Sequence, residues 1–179
     1  VREGAYARDM RYAHAVTDTA PGHAALFTGK PPAESGIFSN ESLAADGTKV
    51  SSMRDEQTRL VARTGILATP GSSLRTLRVP TLADQFKAHD SRAFVVSLSI
   101  KDRGALFGGG RTPDATLWFD VSSGDLVTST AVSPGFPVWA TAKPATWKAQ
   151  TWTPLDAHWL AAQALTSDAA PGEGDLSHL

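Results

Sequence analysis

Thr81-Leu82-Ala83-Asp84-Gln85-Phe86-Lys87-Ala88-His89, a short charged turn, then Ala93-Phe94-Val95-Val96-Ser97-Leu98-Ser99-Ile100: this stretch decides the fold class. Val79-Pro80 punctuates its start, Thr81 can accept a hydrogen bond from a first-turn N–H, and Leu82, Ala83 and Phe86 fall on one helical face. The second half is apolar, small or β-branched throughout, the pattern of a parallel strand buried on both faces. A helix followed by such a strand predicts an α/β fold, with a largely parallel central sheet and helices on both faces. Working outward, Gly104 to Pro113 reads as a glycine-rich loop. Ala115–Asp120 and Leu126–Thr130 flank Ser123-Gly124-Asp125, which predicts a β-hairpin excursion. The polar stretch 42–73 is expected to be a surface insertion with a little strand near Thr58–Val61, and Leu155–Leu165 has helical spacing with a packing stripe.

Toward the N-terminus, Thr17-Asp18-Thr19-Ala20-Pro21-Gly22-His23-Ala24-Ala25-Leu26-Phe27-Thr28-Gly29 carries the chemistry. Tyr12 to Thr17 reads as a short strand, Pro21 suits an early helical position, and Gly29 suits the left-handed residue that stops a helix. Strand, hydroxyl, helix start puts a threonine where free N–H groups and the positive dipole end hold an anion. Thr19 is therefore a candidate nucleophile, whose hydroxyl needs a base or a metal to take its proton. The competing reading is a plain N-cap, the commoner role of Thr before Pro-Gly; Thr17 lies two residues too early, in the strand.

The 179 residues suffice for one domain with a core, and 17 basic against 18 acidic residues argue for no general nucleic-acid or membrane surface. There is no cysteine, which excludes disulfides and thiolate metal sites. No apolar run approaches the roughly 20 residues of a membrane span. The first residue is Val1, and the chain stops after Pro171–Leu179 without a packed element, so both ends read as cuts through a longer protein: 1–179 is expected to be a single partial domain truncated at both ends.

Lys101 and Arg103 follow the apolar stretch at i and i+2, so strand alternation would send both side chains from one face at the carboxyl end of the sheet, where open α/β folds bind ligands. Arginine offers a forked donor pair and lysine a point charge, a combination suited to the three terminal oxygens of a phosphate monoester. The plainer reading is two solvated residues at a strand end. Asp102 between them is expected in an ion pair or loop hydrogen bond. His23 is expected to support the loop; His14, His89, His158 and His178 have no ligand spacing. Gly108-Gly109-Gly110 is no phosphate-loop fingerprint, though it could let a loop approach the substrate side. Trp139, Trp147, Trp152 and Trp159 suit packing better than a leaving-group surface.

Thr-x-Pro-Gly-His-Ala at Thr19–Ala24, then Thr28-Gly29, Gly36-Ile37 and Ser39-Asn40, resembles the nucleophile region of the alkaline phosphatase superfamily. The match is to the branch shared by type I phosphodiesterase/nucleotide pyrophosphatases and threonine-nucleophile phosphatases. Ser97–Ala105 with Trp118-Phe119-Asp120 resembles the Lys-x-Arg signature of PafA-like phosphomonoesterases, and the resemblance runs from about Glu3 to Leu155. It implies a partial alkaline-phosphatase-like layered fold and a two-zinc enzyme that hydrolyses phosphate monoesters through a phosphothreonine on Thr19, which is also a metal ligand. Asn40, Lys101 and Arg103 would bind the substrate phosphate. The remaining Asp and His ligands would lie outside this chain, leaving the fragment alone inactive. Export to the periplasm or secretion, and small-molecule phosphate esters as partners, are further implications. A phosphodiesterase or pyrophosphatase would share Thr19 and Asn40 without needing the Lys-x-Arg pair. Glu41-Ser42 stands where many relatives place an aromatic residue, which bears on the leaving group. Sulfatases are disfavoured, because their Cys/Ser-x-Pro-x-Arg is absent.

Overall fold

The computed structural model describes residues 4–6, 8–9, 11–12 and 14–141. The predicted helix at Leu155–Leu165, with Trp147, Trp152, Trp159, His158 and His178, lies outside them. A five-stranded sheet runs in the order β4-β3-β7-β6-β5, where β3 is Arg54–Ala62, β4 Gly65–Ser72, β5 Val96–Ser99, β6 Ala115–Asp120 and β7 Asp125–Ser129. A separate hairpin joins β1 (Glu41–Leu43) to β2 (Lys49–Ser51). The helices are α1 (Thr19–Thr28), the single turn α2 (Pro32–Ser35), α3 (Leu82–His89) and α4 (Asp102–Gly109). A 3-10 turn spans Val138–Ala140.

The fold is α/β, as the helix–strand succession predicted, but the sheet is mixed and mostly antiparallel, not largely parallel as expected. β5 and β6 are parallel, with Val96 opposite Ala115 and Ser99 opposite Trp118, whereas β3, β4, β6 and β7 pair antiparallel. Hairpins impose this. β6 and β7 are joined by a tight turn through Gly124 in the left-handed region, and a turn that short leaves only an antiparallel return. The stretch 42–73 holds two hairpins, and the strand expected near Thr58–Val61 is part of β3, which continues the sheet by pairing with β7.

Three further expectations are corrected. No strand forms among the described residues 11–12 and 14–18: Tyr12 and Val16 are exposed, and β-propensity yields a strand only where a neighbouring strand pairs with it. Gly104 to Gly109 is helix, not loop, and its glycines mark close packing. A Cβ on Gly104 would lie 2.4 Å from Ser99 Oγ, and one on Gly109 2.3 Å from Thr116 Oγ1. Here glycine's low helix propensity, about 1 kcal/mol per residue, is outweighed by contact between α4 and the sheet. The glycine run therefore serves the sheet side and opens no loop. Finally, β5 is not buried on both faces. It sits at the end of the sheet, and Phe94, Val96 and Leu98 are exposed while Ser97 and Ser99 face α4.

The helix predicted from Thr81 forms with a full capping box: Asp84 N–H donates to Thr81 Oγ1, and Thr81 N–H to Asp84 Oδ2. Leu82 and Phe86 remain exposed and only Ala83 is buried, so α3 is held by its ends more than by an apolar stripe. Arg111 completes this by donating to Asp84, Val79 O and Leu77 O. The core joins Ala20 and Ala24 of α1 to Ala105, Leu106 and Phe107 of α4, with Ile37, Met53, Leu74, Leu77, Trp118 and Val127. No helix among the described residues is long and apolar enough to cross a membrane.

One buried carboxylate couples the fold to pH. Burial of Asp55 works against its charge. Ser73 Oγ at 2.6 Å, the Gln57 N–H at 3.0 Å and Arg75 at 3.7 Å more than offset this and hold it below the ordinary 3.8. A depressed folded-state value stabilises the protein above the unfolded value and is lost as pH falls through about 4 toward the folded value. Asp55→Asn is expected to lower stability by about 1 to 3 kcal/mol at pH 7. Urea unfolding of the two proteins from pH 7 to pH 3 should show that difference shrinking with acid; a constant difference would remove Asp55 as its source.

Candidate phosphoryl-transfer site at two helix N-termini

Two helices place the predicted site residues. Thr19 is the first residue of α1, after Asp18 in extended conformation at the cap. Among the described residues, the Thr19 hydroxyl caps no backbone N–H and has no hydrogen-bond partner, so the plain N-cap role is not its role. Gly29 closes the same helix in the left-handed region and donates to Ala25 O at 2.9 Å.

Asn40 lies 21 residues further on, yet its side chain returns to the same helix start: the Ala20 N–H donates to Asn40 Oδ1 at 2.7 Å. The Asn40 N–H in turn points at Asp18 Oδ2, 3.4 Å away. Committing Oδ1 to a donor orients the amide, so the Nδ2 donor is left for another group; none among the described residues takes it. Sequence spacing could not reveal this contact, because it depends on how the turn after α2 brings the chain back.

Lys101 caps α4 in extended conformation and Arg103 is the second residue inside that helix. β5 ends at Ser99, so strand alternation does not relate their side chains; they leave the first turn of a helix instead. Asp102, an acid at a helix start, was the sequence signal for this. Asp102 does not face away from its neighbours, as strand alternation would have required: Arg103 Nη1 lies 3.5 Å from Oδ1, and Ser72 Oγ on β4 donates to Oδ2 at 2.8 Å. Arg103 Nε is buried with no partner among the described residues, and Lys101 Nζ has none there either. Two cations in the first turn oppose the positive dipole end, by about 0.3 to 1 kcal/mol each. A buried guanidinium N–H without an acceptor adds about 1 to 3 kcal/mol. An anion received between them would relieve both.

The two helix starts belong to one packed unit. α1 and α4 contact each other directly and share the core. His23, one turn into α1, reaches Thr19 O with Nδ1 at 2.8 Å and lies beside Gly104, while its ring stacks on Phe27 at 6.2 Å between centroids. His23 thus braces the helix start from inside α1, where support of the preceding loop was expected. His89 ends α3, and His14 Nε2 is buried with no partner among the described residues. Trp139 is largely exposed in the 3-10 turn, so packing does not account for it.

No group of three or more His, Asp or Glu side chains among the described residues could hold a metal ion. The described residues therefore supply no complete metal site of this kind.

With this geometry in place, the sequence profile of the family described as type I phosphodiesterase / nucleotide pyrophosphatase matches residues 1–153. The chain belongs to that family, within the superfamily that also contains the alkaline phosphatases it resembles. It is 33% identical over 142 residues to alkaline phosphatase PhoV of Synechococcus elongatus, covering 78% of this chain and 25% of that protein. The crystal structure of wild-type alkaline phosphatase PafA superposes with a TM-score of 0.64 at 31% identity, over 78% of this chain and 28% of PafA. A PafA variant altered at a threonine, an asparagine, a lysine and an arginine superposes equally well, at TM-score 0.64 and 29% identity. The chain thus spans about a quarter of the length of the proteins it matches.

Proposed function

We propose that the protein to which this chain belongs hydrolyses phosphate monoesters, with Thr19 as nucleophile and Asn40, Lys101 and Arg103 as the phosphate clamp. What carries the reading is a set of four polar ends at two packed helix N-termini, each without a protein partner among the described residues: Thr19 Oγ1, Asn40 Nδ2, Lys101 Nζ and Arg103 Nε. Residue types and spacing lend support. Thr19 and Asn40 are 21 residues apart, as are the threonine and asparagine altered in the PafA variant, and its lysine and arginine are two apart like Lys101 and Arg103.

Thr19 Oγ1 attacks phosphorus in line with the departing alkoxide; the P–O bond to the leaving group breaks as the bond to Oγ1 forms, giving phosphothreonine. Water then attacks the same phosphorus, releasing phosphate and regenerating the hydroxyl. Through both steps Asn40 Nδ2 donates to one nonbridging oxygen without adding charge, while the Arg103 fork and the Lys101 ammonium bind the others. The positive ends of α1 and α4 add to that field. Two zinc ions, when bound, would supply the positive charge that ionises the threonine hydroxyl and the water, with Thr19 as this chain's ligand. By the same resemblance the other ligands lie outside this chain, and the chain alone is expected to be inactive. Small phosphate esters are the substrate class, and a periplasmic or secreted location goes with the same reading.

A phosphodiesterase or nucleotide pyrophosphatase shares Thr19 and Asn40, and the family description favours keeping it as the alternative. The two part at the cations. A diester has only two terminal oxygens to bind, so Lys101→Ala in the full-length holoenzyme is expected to lower kcat/KM for an aryl phosphate monoester about a hundredfold and for the matching diester far less. Equal losses on both substrates would overturn the monoesterase assignment.

A further inference from the structure

The geometry points to His23 as a positioning residue that fixes the nucleophile on α1 relative to the cation pair on α4. This rests on the reading of Thr19, Lys101 and Arg103 given above. His23 and Phe27 are four residues apart and form one ridge of α1, their rings stacked with an interplanar angle of 29°. Gly104 and Gly108 are also four apart and form the groove of α4 that receives the ridge. A Cβ on Gly104 would lie 3.5 Å from His23 Nε2, and one on Gly108 3.5 Å from Phe27 Cζ. The same two Cβ positions would meet the Ser99 and Ser97 hydroxyls of β5 more closely still, so the glycines mark where α4, β5 and the ridge converge. α4 packs on β5, and the ridge of α1 runs alongside the same two glycines.

The imidazole does more than fill the groove. Its Nδ1 lies 2.8 Å from Thr19 O, and because a carbonyl only accepts, Nδ1 carries the proton. One side chain therefore bonds to the residue that bears the nucleophile and lies beside the turn of α4 just past Lys101 and Arg103. In-line attack tolerates little error: a displacement near 1 Å can cost about a hundredfold in rate. Loss of the Nδ1 bond would let Thr19 drift while the clamp on α4 stays intact. The effect should appear in kcat and not in phosphate affinity.

The test uses the full-length holoenzyme and four variants, with inorganic phosphate as competitive inhibitor. His23→Leu keeps bulk and loses the donor; kcat for an aryl monoester is expected to fall by about tenfold or more, with the inhibition constant of phosphate within about threefold of wild type. His23→Asn places an amide N–H where Nδ1 stood and is expected to restore most of kcat. His23→Gln, whose amide reaches the Nε2 position instead, is not, and it replaces the leucine variant should that fail to fold. Unchanged kcat in the donor-less variant, or an asparagine variant no better than it, would overturn the assignment. So would a loss of thermal stability with kcat per folded enzyme intact. Lys101→Ala serves as the control. If it is fully active, the clamp reading fails with whatever depends on it; if it is impaired while His23→Leu is not, only the role of His23 is lost.

Discussion

Thr19→Ala in the full-length holoenzyme is expected to abolish monoester hydrolysis, by about a thousandfold or more in kcat, while inorganic phosphate still binds within a few fold of wild type. The division follows from where the residue sits. Thr19 occupies the first position of α1, its hydroxyl serves no cap among the described residues, and the adjacent Ala20 N–H is satisfied by Asn40 Oδ1. Removing the hydroxyl therefore leaves the helix start and the proposed clamp of Asn40, Lys101 and Arg103 in place and deletes only the atom proposed to bond phosphorus. Thr19→Ser, which keeps an oxygen at the same Cβ, should retain measurable turnover. Rapid acid quench of enzyme and substrate, followed by intact-mass measurement, should find a covalent phosphoryl group on wild type and none on Thr19→Ala. Turnover by Thr19→Ala above about a tenth of wild type would show that another group is the nucleophile.

The largest stability effect is expected at Gly110. Its backbone lies at φ 74° and ψ −164°, a region open essentially to glycine alone, and holding another residue there costs of order 1 to 3 kcal/mol. Space is equally closed. A Cβ would come 2.6 Å from Asp84 Oδ1 and 2.7 Å from Thr81 Oγ1, the two side chains of the α3 capping box. Asp84 Oδ1 also receives the Arg111 N–H at 2.7 Å, so displacing it breaks the link between the end of α4 and the start of α3. Gly110→Ala thus combines strain with loss of a cap and of a further hydrogen bond, about 3 to 5 kcal/mol in all. Thermal unfolding of the full-length protein should drop by about 3 to 5 °C, more than for Asp84→Ala, which loses the cap without the strain. A Gly110→Ala protein melting within 2 °C of wild type would mean that the connection after α4 rearranges freely.

Local signals were legible where the physics is local. Thr81 with Asp84 three residues on gave the capping box, Gly29 the helix stop, and Ser123-Gly124-Asp125 the hairpin turn, because each depends on atoms within a few residues. The glycines at 104, 108 and 109 misled for the complementary reason: their poor helix propensity is local, while the close packing against Ser97, Ser99 and Thr116 that selects them is not. Likewise Lys101 and Arg103 were singled out by type and spacing, but as strand-end residues, whereas they stand in the first turn of α4.

By itself the sequence determined the α/β class, the helix starts at Thr19 and Thr81, and the chemical types offered for phosphate, since composition and short-range pattern set these. Only the tertiary structure decided that Asn40 Oδ1 seals the N–H beside Thr19, that Ser72 on β4 holds the Asp102 carboxylate, and that His23 and Phe27 lie along the glycines of α4. The physical reason is range. A hydrogen bond between residues 20 and 40, or a ridge meeting a groove some 80 residues away, exists only once the sheet and core have fixed where each helix begins.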